Sequence, residues 1–544
     1  MGRISPAKYT VFLAVLILVL GGVGLAEGGL YLDMHEGDAA HMVDILLRMG
    51  LGLVPHLDFS TPIGIFAFLP IRWMMNMGLG IGQAFIAAQI LIAVLFAPPV
   101  ARVALSRLSG LAAWGFGAVA MVMVLGLVHG ENATAISVSM YYNRWAWVAA
   151  FIAILLAVLP ERSESKAPLL DGVIAGAMLA FMALIKPTYF VGFVLPVALG
   201  FMLRGAWRSL LAGLVTGLSV ALAMVAFYGT EFFPAYVADL LSVTRSESRA
   251  APGVSFVEVL NAPRFLIGTV TLFLSVIVLR QAGRDRVGLL LLLLAPGFVY
   301  VTYQNFGNDP QWLILLCVLL LAERPERGRR VLFNSDARNA TSALALMAFA
   351  LIAPSMQNIA TSPFRNLVAK TEDHVPQFEG RAELDDLFVT PRRTRMVLAR
   401  ENLVDRYPEL APYASEDEEF APVSFLGETL PRCALQGGDL VLNGYMADRL
   451  KAAPFNFPPE SQFFVADIVS AIWILGDFAP LKGGAPWYYS GAPGVENADA
   501  IIVPLCPLDP SVERHALAAV EAAGLKLRPP LRDPMMLVYL IAKE

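Results

Sequence analysis

Long apolar runs separated by short polar stretches dominate the first two thirds of the chain. A bilayer-spanning helix needs roughly 17 to 25 mostly apolar residues. Runs of that character fall at about 9–29, 82–101, 110–128, 145–160, 168–186, 188–203, 209–229, 265–280, 287–303, 311–322 and 340–356, which predicts eleven transmembrane helices. Residues 62–77 are apolar but short and interrupted by Pro70 and Arg72, so they predict an interfacial or re-entrant helix. Just upstream, His41, Asp44 and Arg48 recur at helical spacing among Met42, Val43, Ile45, Leu46 and Met49, which predicts a second helix lying on the membrane surface.

Beyond residue 356 the pattern changes. The stretch 498–505 reads as a strand, Pro510 to Gly524 as a helix capped by Asp509, and Met535 to Ala542 as another strand. Residues 357–430 are charged and poorly periodic and take no assignment. The expected fold class is an α-helical polytopic membrane protein, residues 1–356, followed by a soluble α/β domain, residues 357–544. No internal repeat or low-complexity segment interrupts this plan.

Composition sharpens the division. The chain has 544 residues, 57% of them hydrophobic and 16% charged, with a mean hydropathy of +0.62. Soluble domains carry roughly 25% charge. Residues 1–356 hold 42 charged side chains and the far shorter remainder holds 43, so the deficit belongs to the first part alone. A small soluble enzyme, a disordered chain and, with three cysteines, a disulfide scaffold are excluded. The net charge of −5 gives no reason to expect nucleic acid. Cys433 and Cys506 both fall in the tail, where a disulfide between them fits an oxidising compartment, while Cys317 sits in an apolar run.

Charge also orients the chain. The first run follows Arg3 and Lys8 and continues to Glu27 without a small-residue cleavage site, so it reads as an uncleaved helix with its N-terminus in the cytoplasm. Alternating sides from there places residues 1–8, 101–109, 160–167, 203–209, 280–286 and 323–338 in the cytoplasm. These segments carry 16 Lys and Arg against 7 in the rest of the region before 357, the bias of the positive-inside rule. Glu323 to Arg330 is the strongest anchor, and the tail then lies outside the plasma (inner) membrane, in a periplasm or its equivalent.

The polar clusters interrupting the apolar pattern fall on that outer side: Asp33 to Asp38 with His35, Glu36 and His41; Pro55 to Asp58; His129 to Asn132 with Glu131; Tyr141 to Arg144; Lys186 to Tyr189; and Tyr303 to Pro310 with Asn305, Asn308 and Asp309. Polar side chains at a membrane boundary cost several kcal/mol unless paired or wetted, so six such loops on one side predict a polar cavity. Carboxylates there could accept a proton, Lys186 and Arg144 could hold an anion such as phosphate, and Asp58, Glu131, Asn305, Asn308 and Asp309 suit a polyhydroxylated ligand. Glu36, Asp38 and His41 could alternatively hold a divalent cation, although their spacing matches no standard metal site. No Gly-rich phosphate loop, cysteine zinc site or nucleophile elbow appears, so no nucleotide cofactor is indicated.

Glu36-Gly37-Asp38, about seven residues after the first span, resembles the Glu-x-Asp form of the acidic signature carried on the first outer loop of the GT-C superfamily, polytopic glycosyltransferases that use polyprenyl-phosphate-linked sugars. Gly52 to Pro62, with Pro55 and Asp58, is similar to the segment that leads into a surface helix in protein-mannosyltransferase-like members. Lys186-Pro187 resembles the Lys-Pro element of polyprenyl-phosphate mannosyltransferases, which implies a donor-phosphate contact. The resemblance covers the topology through residue 356 and these short motifs. It implies an inverting transferase with Glu36 or Asp38 as general base and a glycan, lipid or protein acceptor. Trp487 to Gly491 only faintly resembles an oligosaccharyltransferase signature and takes no role. A lipid-linked glycan flippase, an O-antigen ligase or polymerase, and a non-catalytic envelope assembly protein are the alternatives.

The topology is directly testable. A reporter fused after residue 330 should be cytoplasmic and one fused after residue 440 external; both on the same side would overturn the placement of every polar cluster.

Overall fold

The computed structural model describes residues 4–130, 133–162, 166–246, 256–304, 309–400, 407–413 and 421–542. It is mostly helical, with 62% of residues in helices and a small strand-containing C-terminal region. Each of the eleven apolar runs forms a helix. Eight of them are long and apolar enough to cross a membrane, from Pro6–Leu25 to Ala337–Leu367; Gly110–Leu125, Pro187–Leu203 and Trp312–Ala322 are shorter. The interrupted segment 62–77 becomes a 3-10 turn at Ile65–Ala67 and an eight-residue helix, Leu69–Asn76, as its Pro70 and Arg72 require.

The chain divides into two compact units. One comprises residues 1–31, 63–227 and 251–369; the other comprises 32–62, 228–250 and 370–544. The anticipated boundary at 356 falls inside the Ala337–Leu367 helix, whose polar last turns are tied down: Asn366 donates to the Gly24 and Gly29 carbonyls at 3.2 and 2.9 Å, and the Leu127 amide donates to Ser362 at 2.8 Å.

In the helical unit, small residues set the closest approaches. Gly172 and Gly176 face Ser209 and Gly213 so tightly that a Cβ on either would come within 2.2 Å of a backbone oxygen, and a Cβ on Gly297 would come within 2.6 Å of the Gly192 carbonyl. Such contacts let apolar helices pack without a hydrophobic contrast to drive them. At the opposite chemical extreme, Asp171 in the first turn of Pro168–Ile185 accepts from Arg102 at 2.7 Å and from Arg107 at 2.6 Å, the latter a fully buried pair.

The second unit is built on a four-stranded sheet. Phe463–Val465 runs parallel to Ala500–Pro504, which pairs antiparallel with Met536–Leu540, and Leu531–Asp533 completes the edge. All five residues of Ala500–Pro504 are buried, consistent with its unbroken apolar sequence in the sheet centre. Helix Pro510–Ala522 covers this sheet through Val512, Ala516, Leu517 and Val520. Its N-cap is Asp509, as its position before the apolar period predicts, accepting from the Ser511 and Val512 amides at 3.0 Å. Cys433 and Cys506 are bridged, tying the Cys433–Gly437 strand to the end of the central strand.

One expectation is corrected. The helix over 41–49 is Glu36–Gly50, but its polar stripe does not face water: His41, Asp44 and Arg48 are only 3%, 2% and 3% exposed and lie inside the α/β unit.

Candidate functional site

The Glu36–Gly50 helix starts at His35, whose left-handed backbone (φ 63°) turns the chain so that Glu36 and Asp38 occupy the first turn. Amides there lack partners within the helix, and the helix end favours negative charge. Both carboxylates are partly exposed. Arg393 Nη1 lies 3.3 Å from each oxygen of Glu36, and the Gln377 amide donates to the Glu36 carbonyl at 2.8 Å. Asp33, just before, stands 3.8 Å from His374. Burial lowers the affinity of His35 for a proton, opposed by the charges of Asp38 and Glu36. The charged, poorly periodic segment 370–394 supplies the groups that hold the acidic loop.

Further along the helix, Asp44 and Arg48 form an ion pair one turn apart. The Trp473 indole donates to the other Asp44 oxygen at 2.7 Å, and Arg48 donates to the Leu481 carbonyl at 2.9 Å. The guanidinium lies 5.6 and 5.3 Å from the Phe59 and Trp473 ring centres. These groups line a cavity of about 40 Å³ together with Asp467, Ser470 and Tyr488. That volume suits a few water molecules rather than a substrate. His41 packs its ring on Trp487 at 5.4 Å. Among the described residues no group of three or more His, Cys, Asp or Glu could hold a metal ion.

A chain of acidic groups missed by sequence reasoning runs inward from Glu36. Asp439, first residue of the Asp439–Lys451 helix, accepts from Asn443 at 2.7 Å through one oxygen, while the other is buried without a hydrogen-bond partner. Burial, with Asp467 and Glu36 adding to it, pushes the Asp439 carboxyl up to about 8. Asp467 follows the Phe463–Val465 strand and accepts from the Ile468, Leu508 and Asp509 amides at 2.7, 2.7 and 3.2 Å. Burial still raises it to about 7, and burial likewise raises Glu513 on the covering helix, with Asp467 contributing. Asp467 thus sits beyond the carboxyl ends of two adjacent parallel strands, the crevice where open α/β sheets place functional groups. An acidic residue closing the apolar run Phe463 to Ala466 was the available signal.

The Pro55 to Asp58 motif also lies in this unit. Asp58 accepts from the Val54 amide at 2.7 Å, which closes the turn there. His56, left-handed at φ 73°, lies 2.9 Å from Asp239 through Nδ1 and stacks on Tyr236 at 4.2 Å. Asp239 also accepts from the Ser60 hydroxyl at 2.6 Å and the Thr61 amide at 3.0 Å.

Lys186, Arg144 and Asp309 belong to the helical unit. Lys186 is the junction of Pro168–Ile185 and Pro187–Leu203, extended at φ −154°, because Pro187 cannot continue the preceding helix. Its ammonium lies 5.2 Å from the Tyr142 ring centre, and it is partly exposed at the N-terminus of the second helix. Two residues on, the Thr188 hydroxyl donates to Gln304. Arg144 departs from its expected phosphate role: it is 1% exposed and donates to the Met123 carbonyl at 3.1 Å, to Gly126 at 2.7 Å and to Val128, closing the end of Gly110–Leu125. Asp309 is buried and paired with Arg264 at 2.8 Å. Glu131, Asn305 and Asn308 lie outside the described residues. Compared with known protein families, curated proteins and solved structures, the chain matches none.

The raised carboxyls carry a pH signature. Groups whose folded value exceeds the unfolded value of about 4 bind protons more tightly in the fold. Their contribution is full below about pH 4 and is lost as pH rises through about 7 and 8 for Asp467 and Asp439. Melting of the α/β unit, followed by circular dichroism, should occur at higher temperature near pH 5.5 than near pH 8.5, and Asp439→Asn should flatten that dependence. A transition independent of pH in the parent protein would contradict the protonated-carboxyl reading.

Proposed function

We propose that this chain is a multi-pass membrane glycosyltransferase that moves a sugar from a polyprenyl-phosphate donor to an envelope glycan, lipid or protein acceptor, on the face opposite its basic loops. The observation that carries the reading is the placement of Glu36 and Asp38: partly exposed, in the first turn of a helix that follows the first apolar helix, and fixed by the folded unit around them. Eight helices able to cross a membrane supply the setting a lipid-linked donor needs.

In this mechanism Glu36 or Asp38 takes the proton of the acceptor hydroxyl. The acceptor oxygen bonds to the anomeric carbon while the bond from that carbon to the phosphate oxygen breaks, with inversion, and the electron pair leaves on the polyprenyl phosphate. Lys186, at a helix N-terminus, supplies positive charge for the departing phosphate. Arg144 takes no part, since its guanidinium is spent on carbonyls.

The test is transfer by the purified protein in nanodiscs, from polyprenyl-phosphate-linked hexoses, with release of polyprenyl phosphate as the readout. Glu36→Gln and Asp38→Asn leave no proton acceptor of equal shape, so at least one should lower turnover by about 10²-fold or more while donor binding persists. Lys186→Ala should weaken donor binding as well as turnover, because its charge acts in ground and transition states alike. Parental rates in both carboxylate variants would overturn the assignment, and movement of donor lipid across the bilayer without transfer would favour a transporter.

A further inference from the structure

Beside the Asp44–Arg48 cavity, and sharing Ala485 and Pro493 with it, the α/β unit holds a second and larger opening of about 330 Å³. Ser60 forms one wall, Ser242 of the Phe232–Thr244 helix another, and the stretch from Tyr489 to Glu496 a third. The volume falls at the lower end of the range for small-molecule pockets, roughly 300 to 1,000 Å³.

The walls are laced together. The Ser60 amide donates to the Gly484 carbonyl at 3.0 Å and the Gly483 amide to the Asp58 carbonyl at 2.9 Å. The Ser246 hydroxyl donates to the Tyr489 carbonyl. Gly491 and Gly494 take left-handed backbone (φ 71° and 74°), and at Gly494 a Cβ would strike the Lys482 carbonyl at 2.4 Å, so the curvature of the third wall depends on glycine there.

The chemistry of the lining selects its occupant. A serine hydroxyl has one proton to give and two lone pairs to receive with. Here all three protons are already spent: Ser60 donates to the Asp239 carboxylate at 2.6 Å, Ser242 to the Asp239 carbonyl at 2.7 Å and Ser490 to the Ser242 carbonyl at 3.1 Å. What these oxygens turn to a ligand is therefore acceptor capacity, and the Glu496 carboxylate at the rim adds more. No lysine or arginine lines the opening among the described residues, so nothing there compensates a phosphate or carboxylate. Tyr489, Ala492 and Pro493 supply apolar surface between the acceptors. A fitting ligand carries several hydroxyl donors, no negative charge and a compact partly apolar ring.

We propose that this opening is a carbohydrate site that takes a neutral mono- or disaccharide unit, such as the end of a glycan, and that it is separate from the Glu36 and Asp38 carboxylates. The proposal stands whether or not the chain transfers sugars.

The experiment is saturation-transfer NMR on the full-length protein in nanodiscs, with no donor lipid present. The probes are the methyl glycosides of glucose, galactose, mannose and N-acetylglucosamine, together with maltose; glucuronate and putrescine serve as anionic and cationic comparisons. At least one neutral sugar should give a saturable signal, and glucuronate none. Ala492→Trp, which fills the opening, should abolish it. Glu496→Gln, at an exposed position that the fold tolerates, should raise the apparent Kd about tenfold, the loss expected for a hydrogen bond to a charged acceptor. Sugar binding is read with no donor lipid present, so a failed transfer assay and a failed binding assay are distinguishable. No signal from any neutral sugar, a signal unchanged in Glu496→Gln, or stronger binding of putrescine than of every sugar would overturn the proposal.

Discussion

Asp44 and Arg48 are one helical turn apart, with side chains only 2% and 4% exposed, and the order of the α/β unit depends on that pair. Removing one partner of a buried ion pair costs about 3–5 kcal/mol, a large share of the 5–15 kcal/mol that stabilises a typical domain. The helix carrying the pair begins about ten residues after the first apolar helix, yet its partners Trp473 and Leu481 come from more than 400 residues later. A short helix in the first loop is thereby made part of the core of the C-terminal unit. Glu36 and Asp38 inherit their positions from that burial, and Arg393 and Gln377 then fix the helix start.

The helical unit obeys the same rule by another route. Three arginines there are spent on backbone oxygens or on a carboxylate: Arg144 closes the end of Gly110–Leu125, Arg204 donates to Leu156 and Ala157 at the end of Tyr141–Val158, and Arg107 pairs with Asp171. An unpaired group in apolar surroundings costs several kcal/mol, so these residues hold helices together. Lys186 stands where Pro187 breaks the helix, partly exposed at the start of Pro187–Leu203.

Apolar periodicity made the helices and the last strands legible, because burial of whole segments leaves a signal in a single stretch of sequence. The Asp509 cap was legible for the same local reason, and the Cys433–Cys506 bridge because these are the two cysteines of the tail. Pairing across hundreds of residues leaves no such trace. The stripe of His41, Asp44 and Arg48 reads as part of a helix on the membrane surface, since nothing nearby announces Trp473, and Arg144 reads as an anion site because its acceptors are carbonyls that carry no side-chain signature. Asp439 and Asp467 carry no mark in their local sequence that sets them apart, their burial being a product of the assembled sheet.

Native-state hydrogen exchange on the full chain with Arg48→Met tests the central claim, that the first-loop helix and the C-terminal sheet form one cooperative unit through the buried pair. Amides of residues 36–50 and of 463–489 are expected to lose protection together and to the same extent, while the Pro6–Leu25 and Tyr141–Val158 helices keep theirs. Loss confined to residues 36–50, with the 463–489 segment unchanged, would contradict it.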